Sequence, residues 1–250
     1  MYRLKKSLGQ HFLKDETICQ KIVEALNTHP FQHLLEVGPG GGALTKYILK
    51  LPGIDFKAVE IDDEKVAFLK KTYPQLQDKI IHQSFLDIEK PFTEPFTVIG
   101  NFPYNISTEI VFKVVEWRES VSAMVGMFQK EVAQRLAAKE GSKVYGVTSV
   151  LTQAFFDVEY LFDVPPEAFT PPPKVVSGVL RFFPKKETVA IASEKQLFSL
   201  VKAAFGQRRK TLRNAVKGLF AEDILKEELF SKRAEQLSVA DFAALTFRMS

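Results

Sequence analysis

The chain has 250 residues, 46% of them hydrophobic and 26% charged, a composition that excludes a disordered tail protein. A single cysteine, Cys19, excludes a disulfide scaffold and a Cys-rich zinc site, and the four histidines show no HExxH spacing. The net charge of +4 lies entirely beyond residue 187: residues 188–250 carry 11 basic and 7 acidic side chains, and residues 1–187 carry 23 of each.

No apolar run approaches the roughly 20 residues of a membrane helix. The basic N-terminus, MYRLKKSLGQHFLKD, lacks the apolar core of a secretory signal, so a cytoplasmic protein is expected. From there the pattern alternates. Asp15–Asn27 reads as a helix, with Ile18, Ile22, Val23 and Leu26 at helical spacing; Cys19 beside them reads as a small core residue. His33–Gly38 is a strand and Gly42–Leu51 a helix. Phe56–Ile61 is a strand and Asp63–Tyr73 a helix. Lys79–Phe85 and Phe96–Asn101 are strands, followed by a helix over Ser107–Trp117. Ser122–Phe128 is a strand, with helices over Gln129–Lys139 and Val144–Ala154. Such alternation predicts a parallel sheet covered on both faces. Asp157–Val164 and Ser177–Phe183, joined without a helix, are expected as an antiparallel pair at the sheet edge. After a linker at Pro184–Glu187 the pattern is helical only: Glu194–Phe205, Lys210–Phe220, Ala221–Phe230 and Val239–Phe247.

Two turns carry chemistry. The first strand ends in Glu36-Val37-Gly38-Pro39-Gly40-Gly41-Gly42, and Glu60 ends the second. Glycines let a ligand approach the backbone, and an acid at the end of the next strand suits ribose hydroxyls. The turn is GPGGG, not GxGxxG. A carboxylate at Glu36 would repel a pyrophosphate, so a cofactor with a cationic end, S-adenosylmethionine, fits better than a dinucleotide. The fourth strand ends in Asn101-Phe102-Pro103-Tyr104. Pro103 biases Phe102 toward an extended backbone, which directs its carbonyl. Asn101 adds a side-chain acceptor, and two acceptors can hold both hydrogens of an exocyclic amine. Tyr104 supplies a flat face for a base.

Lys195–Ala221 contains seven basic residues and no acid. That is the footprint of a polyanion site, or else a solvated helix face. On helical spacing Arg209, Arg213 and Lys217 share one stripe, with Arg208 and Lys210 beside it.

These blocks together resemble the KsgA (RsmA) family of small-subunit rRNA adenine N6,N6-dimethyltransferases. Lys6–Leu13 (KSLGQHFL) resembles the segment that folds over the cofactor in that family. Gln129-Lys130-Glu131-Val132, Ser142-Lys143-x-Tyr145-Gly146, Phe169-x-Pro171-x-Pro173-Lys174-Val175 and Phe205–Leu212 (FGQRRKTL) resemble it as well. The resemblance implies a Rossmann-like class I methyltransferase domain over 1–183, with a mostly parallel seven-stranded sheet. A small all-helical RNA-binding domain over 188–250 completes the implied α/β architecture. It implies S-adenosylmethionine held by His11, Leu13, Gly38, Glu60, Ser84, Phe85 and Asn101, with no metal. Ser84 stands where the family usually has an Asp on the cofactor's adenine, and Asp87 is a possible substitute. Asn101 and Phe102 would orient the target amine, with Pro103 between them and Tyr104. Tyr104 and Phe169 would sandwich the base. His11 invites a general-base reading, but a cofactor-covering segment favours backbone and packing roles. Arg208, Arg209, Lys210, Arg213 and Lys217 would meet RNA. The implied substrate is a pair of adjacent adenines in a hairpin loop near the 3′ end of 16S rRNA, within an immature 30S subunit, with a monomeric enzyme expected. An Erm-like large-subunit methyltransferase and a non-catalytic assembly factor on the same fold are the rivals. Intact NFPY argues against the assembly factor, and the RRKTL and FTPPPKV blocks argue against the Erm-like reading.

Overall fold

A computed structural model describes residues 11–250; the Lys6–Gln10 part of the cofactor-covering motif lies outside them. Two compact units form, one from residues 1–133 and 158–184, the other from residues 134–157 and 185–250. Residues 134–157, expected in the first domain, therefore cluster with the C-terminal helices.

In the first unit, β1 (Phe12–Leu13) precedes α1 (Glu16–Glu24), whose N-terminus is capped by the Asp15 carboxylate accepting from Ile18 N at 3.1 Å. Then follow β2 (His33–Val37), the one-turn α2 (Thr45–Ile48), β3 (Asp55–Glu60), α3 (Asp63–Thr72), β4 (Ile80–His82), β5 (Phe96–Asn101), α4 (Ser107–Glu116) and β6 (Val121–Gln129). α5 (Lys130–Leu136) follows β6, and after α6 (Val147–Gln153), which belongs to the second unit, come β7 (Phe156–Val164), β8 (Phe169–Thr170) and β9 (Ser177–Pro184). Among the described residues seven strands make one sheet in the order β4-β3-β2-β5-β6-β9-β7, and β1 pairs with β8 apart from it. β4, β3, β2, β5 and β6 run parallel, and β9 is antiparallel to β6. The two late strands thus lie at the sheet edge as expected, although it is β9 that joins the parallel block.

The central parallel strands β2, β5 and β6 are buried along nearly their whole length, as strands covered on both faces require. Their register matters for function. Val37 lies opposite Val59, Glu60 opposite His82, and Asn101 opposite Met127. The chain segments that follow β2, β3, β4 and β5 therefore leave the sheet along one edge.

Gly100 on β5 and Gly126 on β6 face each other across the ladder. A Cβ at Gly100 would stand 2.6 Å from the Phe102 ring, and one at Gly126 2.3 Å from it. The two glycines therefore form the socket for Phe102, whose ring also meets Phe128 edge-on at 5.2 Å. Sequence periodicity shows two glycines inside strands; only the three-dimensional pairing explains them.

In the second unit α7 (Glu194–Gly206) is capped by Ser193 and α9 (Val239–Thr246) by a Ser238–Asp241 capping box. α7 packs on α6 and α9, and its Phe205 ring lies 5.8 Å from Phe242 and 5.9 Å from Tyr145. The expected helix over Lys210–Phe220 shrinks to the single turn α8 (Leu212–Ala215). Beyond it the chain turns to place Phe220 against Phe230 at 5.1 Å, so the expected helix over Ala221–Phe230 becomes two 3₁₀ turns, Ile224–Lys226 and Glu228–Ser231.

Gly126→Ala should cost on the order of 1–3 kcal/mol by overpacking the Phe102 socket. A melting curve would register it as a Tm several degrees lower. An unchanged Tm would mean that the ring has room to move.

Candidate functional site

The shared sheet edge opens into a cavity of about 310 Å³. Three left-handed glycines, Gly38 (φ 66°), Gly40 (φ 57°) and Gly42 (φ 81°), reverse the chain after β2. This reversal brings the Gly40 N–H onto the Glu60 carboxylate, donating at 3.1 Å to Oε2. Glu60 Oε1 accepts from Ile61 N and Asp62 N, both at 3.0 Å. Glu60 therefore ties the glycine turn of β2 to the first turn of α3. A carboxylate has about four lone-pair positions, so roughly one remains for a ligand hydroxyl.

Glu36 lies deeper in the same wall and is 1% exposed. Its Oε2 accepts from Thr45 Oγ1 at 2.6 Å, and it has no cationic partner among the described residues. Burial pushes its carboxyl up to about 8, and the nearby Glu60 charge adds to the shift. By position in the sequence Glu36 reads as an ionised acid beside the turn; desolvation makes it a neutral one near pH 7.

Opposite the glycine turn stand Asn101, Phe102, Pro103 and Tyr104. The Phe102 N–H donates to Met127 O at 3.3 Å and its ring fills the glycine socket, so the backbone is held from both sides. Its carbonyl takes no donor among the described residues. Asn101 Nδ2 donates to His11 O at 3.5 Å, which sets the amide so that Oδ1 is the end left for a ligand. Tyr104 is fixed by a 2.6 Å bond between its hydroxyl and Ser177 Oγ, and burial raises its phenol above the usual range.

The predicted residues do not all meet. His11, Leu13, Gly38, Glu60, Ser84, Asn101, Phe102, Pro103 and Tyr104 line one cavity. Phe85 does not: it is buried, its ring meets Trp117 at 5.3 Å, and Leu86 takes the place in the wall. Phe169 does not either. It pairs with Leu13 across β1 and β8, is 1% exposed and belongs to the hydrophobic core. The ring that faces Tyr104 is instead His11, stacked at 5.8 Å and held by Nδ1 donating to Pro171 O at 2.8 Å. Ser84 is in the wall and Asp87 is exposed outside it, so of the two only Ser84 can meet a ligand there. Ser84 Oγ already accepts from Leu86 N at 3.2 Å, which leaves its hydrogen to donate.

Sequence reasoning missed Ile61, Lys65 and Phe12. Ile61 is 60% exposed yet in the cavity wall, an apolar face of the kind that a purine covers. Lys65 is buried in α3 with its ammonium 5.5 Å from the Phe12 ring centre. The only signal for Ile61 was its position after Glu60. Cys19 is buried and its thiol is pushed up to about 11 by desolvation, which suits a core residue.

The tail cluster divides. Arg208 Nη2 donates to Lys143 O at 2.5 Å and to Tyr145 O at 2.9 Å, and Nε lies 3.8 Å from Glu235 Oε2. Arg213 Nε donates to Leu225 O at 2.6 Å. Both brace their own unit. Arg209, Lys210 and Lys217 are exposed with no ion-pair partner among the described residues. The expected helical stripe of Arg209, Arg213 and Lys217 does not form, because α8 ends at Ala215.

Sheet order, edge cavity and helical C-terminal region define a Rossmann-like class I methyltransferase fold. The chain belongs to the ribosomal RNA adenine dimethylase family, whose model matches residues 1–248. It is 53% identical over 252 residues to a ribosomal RNA small subunit methyltransferase A of Cytophaga hutchinsonii, covering 99% of this chain and 98% of that one. A protein of the same description from Flavobacterium johnsoniae is 50% identical over 248 residues, covering 98% and 95%. Among solved structures, a dimethyladenosine transferase from Plasmodium falciparum superposes with a TM-score of 0.79 at 25% identity, covering 93% and 94% of the two chains. The 23S rRNA methyltransferase ErmE shares the fold, with a TM-score of 0.68 at 22% identity over 95% and 100%.

Glu36 makes the free protein pH-sensitive. Its folded carboxyl titrates near 8 and its unfolded one near 4.5. Between those values the native state holds the extra proton, so stability falls as pH rises from about 4.5 and levels off above about 8. Glu36→Gln should remove that slope. Paired melting curves at pH 5, 7 and 8.5 would show a Tm gap that widens in favour of the variant; parallel curves would place the Glu36 charge in solvent.

Proposed function

We propose that this protein transfers methyl groups from S-adenosylmethionine to N6 of two adjacent adenines in a hairpin loop near the 3′ end of 16S rRNA. The products are N6,N6-dimethyladenosines made in the cytoplasm on an immature 30S subunit. The observation that carries the reading is the pair of acceptors at the end of β5, Asn101 Oδ1 and the Phe102 carbonyl, set across one cavity from Glu60 and the glycine turn. The residues present suit S-adenosylmethionine. Glu60 keeps a lone pair for a ribose hydroxyl, Ile61 offers an apolar face to the adenine, and Ser84 offers a hydroxyl hydrogen. The backbone of His11 and Leu13 would cover the amino-acid end, over the open surface of Gly38 and Gly40.

When bound, the cofactor supplies an electrophilic methyl on a sulfonium, so no strong base is needed. This chain supplies position. Accepting both amine hydrogens, Asn101 and Phe102 turn the N6 lone pair out of conjugation with the ring and toward the methyl. Tyr104, held by Ser177, gives the extruded base a face to stack on. The second face is not Phe169, which stays in the core; the His11 ring occupies the stacking position and must yield to the base. Arg209, Lys210 and Lys217 would hold RNA phosphates, whereas Arg208 and Arg213 shape the surface that carries them.

Asn101→Ala should lower transfer of labelled methyl into immature small subunits on the order of a hundred-fold or more, the usual loss for one preorganised polar group. Cofactor affinity measured by calorimetry should change far less. Near-normal turnover would overturn the assignment.

Changing Arg209, Lys210 and Lys217 to Glu should weaken RNA binding and flatten its salt dependence by roughly 0.7–0.9 in log–log slope per lost phosphate contact. Arg208→Ala should instead lower the melting temperature. Filter binding at several salt concentrations, beside melting curves, checks both; an early-melting triple variant with an unchanged salt slope would mean that these cations are also braces.

A further inference from the structure

We propose that Glu36 is a specificity-determining residue that separates methyl donor from spent product by charge: it is ionised when S-adenosylmethionine is bound and protonated in the free protein and in the complex with S-adenosylhomocysteine. The inference rests on the reading of the cavity as the donor site.

The observations are geometric. Glu36, the next-to-last residue of β2, lies in the cavity wall and is 1% exposed. Its one side-chain donor is the Thr45 hydroxyl of α2, at 2.6 Å, a neutral partner. The group facing it from the end of β3 is another carboxylate, Glu60, which repels a second negative charge. Just past α3, the Tyr73 phenol lies close enough to feel the Glu36 charge, and Lys65 of α3 shares the cavity wall but holds its ammonium over Phe12. Lys46 of α2 pairs with Glu16 at 2.5 Å, and His11 lines the wall beside Tyr104. No cation of the described chain compensates Glu36, so a buried carboxyl here keeps its proton.

A positive ligand changes that balance. The donor carries a sulfonium, an ammonium and a carboxylate, net +1. The product has a neutral sulfide, net zero. Transfer breaks the S–CH₃ bond, whose electron pair stays on sulfur, and forms the N6–CH₃ bond. The amine then loses one proton. As the sulfonium charge disappears, the Glu36 carboxylate takes up a proton from water, so the proton released by the amine is balanced by uptake at this site. Ionised Glu36 attracts the donor, and protonated Glu36 leaves the product without that attraction. Saturation by product, which differs from the donor by one methyl and one charge, is thereby reduced.

Calorimetric titration of the intact protein with S-adenosylmethionine and with S-adenosylhomocysteine, at pH 6, 7 and 8, tests the idea. Each titration is run in two buffers of different ionisation heat. Donor binding at pH 7 should release roughly 0.5–0.9 proton, and product binding close to none. The ratio of product Kd to donor Kd should rise about tenfold between pH 6 and 8. Glu36→Gln, which keeps an acceptor for Thr45, should flatten both trends. Its melting temperature at pH 6 should be no lower than that of the unchanged protein. Equal proton release by the two ligands, or trends that persist in Glu36→Gln, would overturn the inference. If the variant fails to fold, the donor–product comparison in the unchanged protein still decides. Failure of both ligands to bind would overturn the donor-site reading itself, a result distinct from binding without linkage.

Discussion

The Glu60 carboxylate, shared among the N–H groups of Gly40, Ile61 and Asp62, is the constraint on which the site depends. Parallel pairing of β2 with β3 brings the two strand ends together. Positive φ at the glycines then lets the chain fold back until an amide meets the acid. Charge-assisted bonds of this kind are worth roughly 1.5–3 kcal/mol each. They hold both a loop and a helix start against one side chain. The ligand surface is therefore built before any ligand arrives, which lowers the ordering cost of binding.

Much of this was legible in the residues. The residue pattern predicts β5 at its observed Phe96–Asn101, and α3 and α9 to within a residue at their ends. Period, glycine and cap signals agree there. The glycine turn, Glu60 and NFPY were each found by residue type, and they meet at one edge because the strands are parallel. What failed was orientation within short, irregular segments. Phe85 and Leu86 are adjacent apolar residues, and only the packing on Trp117 decides which of them turns inward. The family resemblance implies a stacking face at Phe169, but pairing of β8 with β1 turns it into the core.

The tail shows the same limit from the charge side. An acid-free basic run reads as one surface, yet its members differ in what they touch. Arg208 spends its guanidinium on the carbonyls of Lys143 and Tyr145, inside the Ser142–Gly146 block that also resembled the family. Two motifs distant in sequence are thus one structural device. The helical stripe requires a regular helix over Lys210–Phe220, whereas burial of Leu212, Val216 and Phe220 is achieved by a single turn and a bend.

Phe102 joins two roles that most proteins keep apart. Its carbonyl lies at the reactive edge while its ring sits in a socket that only paired glycines at 100 and 126 can leave open. The two positions and the aromatic ring therefore constitute one heritable unit. A Cβ at Gly126 would press on the Phe102 and Phe128 rings, and one at Gly100 would also stand 2.6 Å from the Val37 carbonyl, which no change of ring relieves. A substitution at either glycine is therefore felt at the reactive edge as well as in the core.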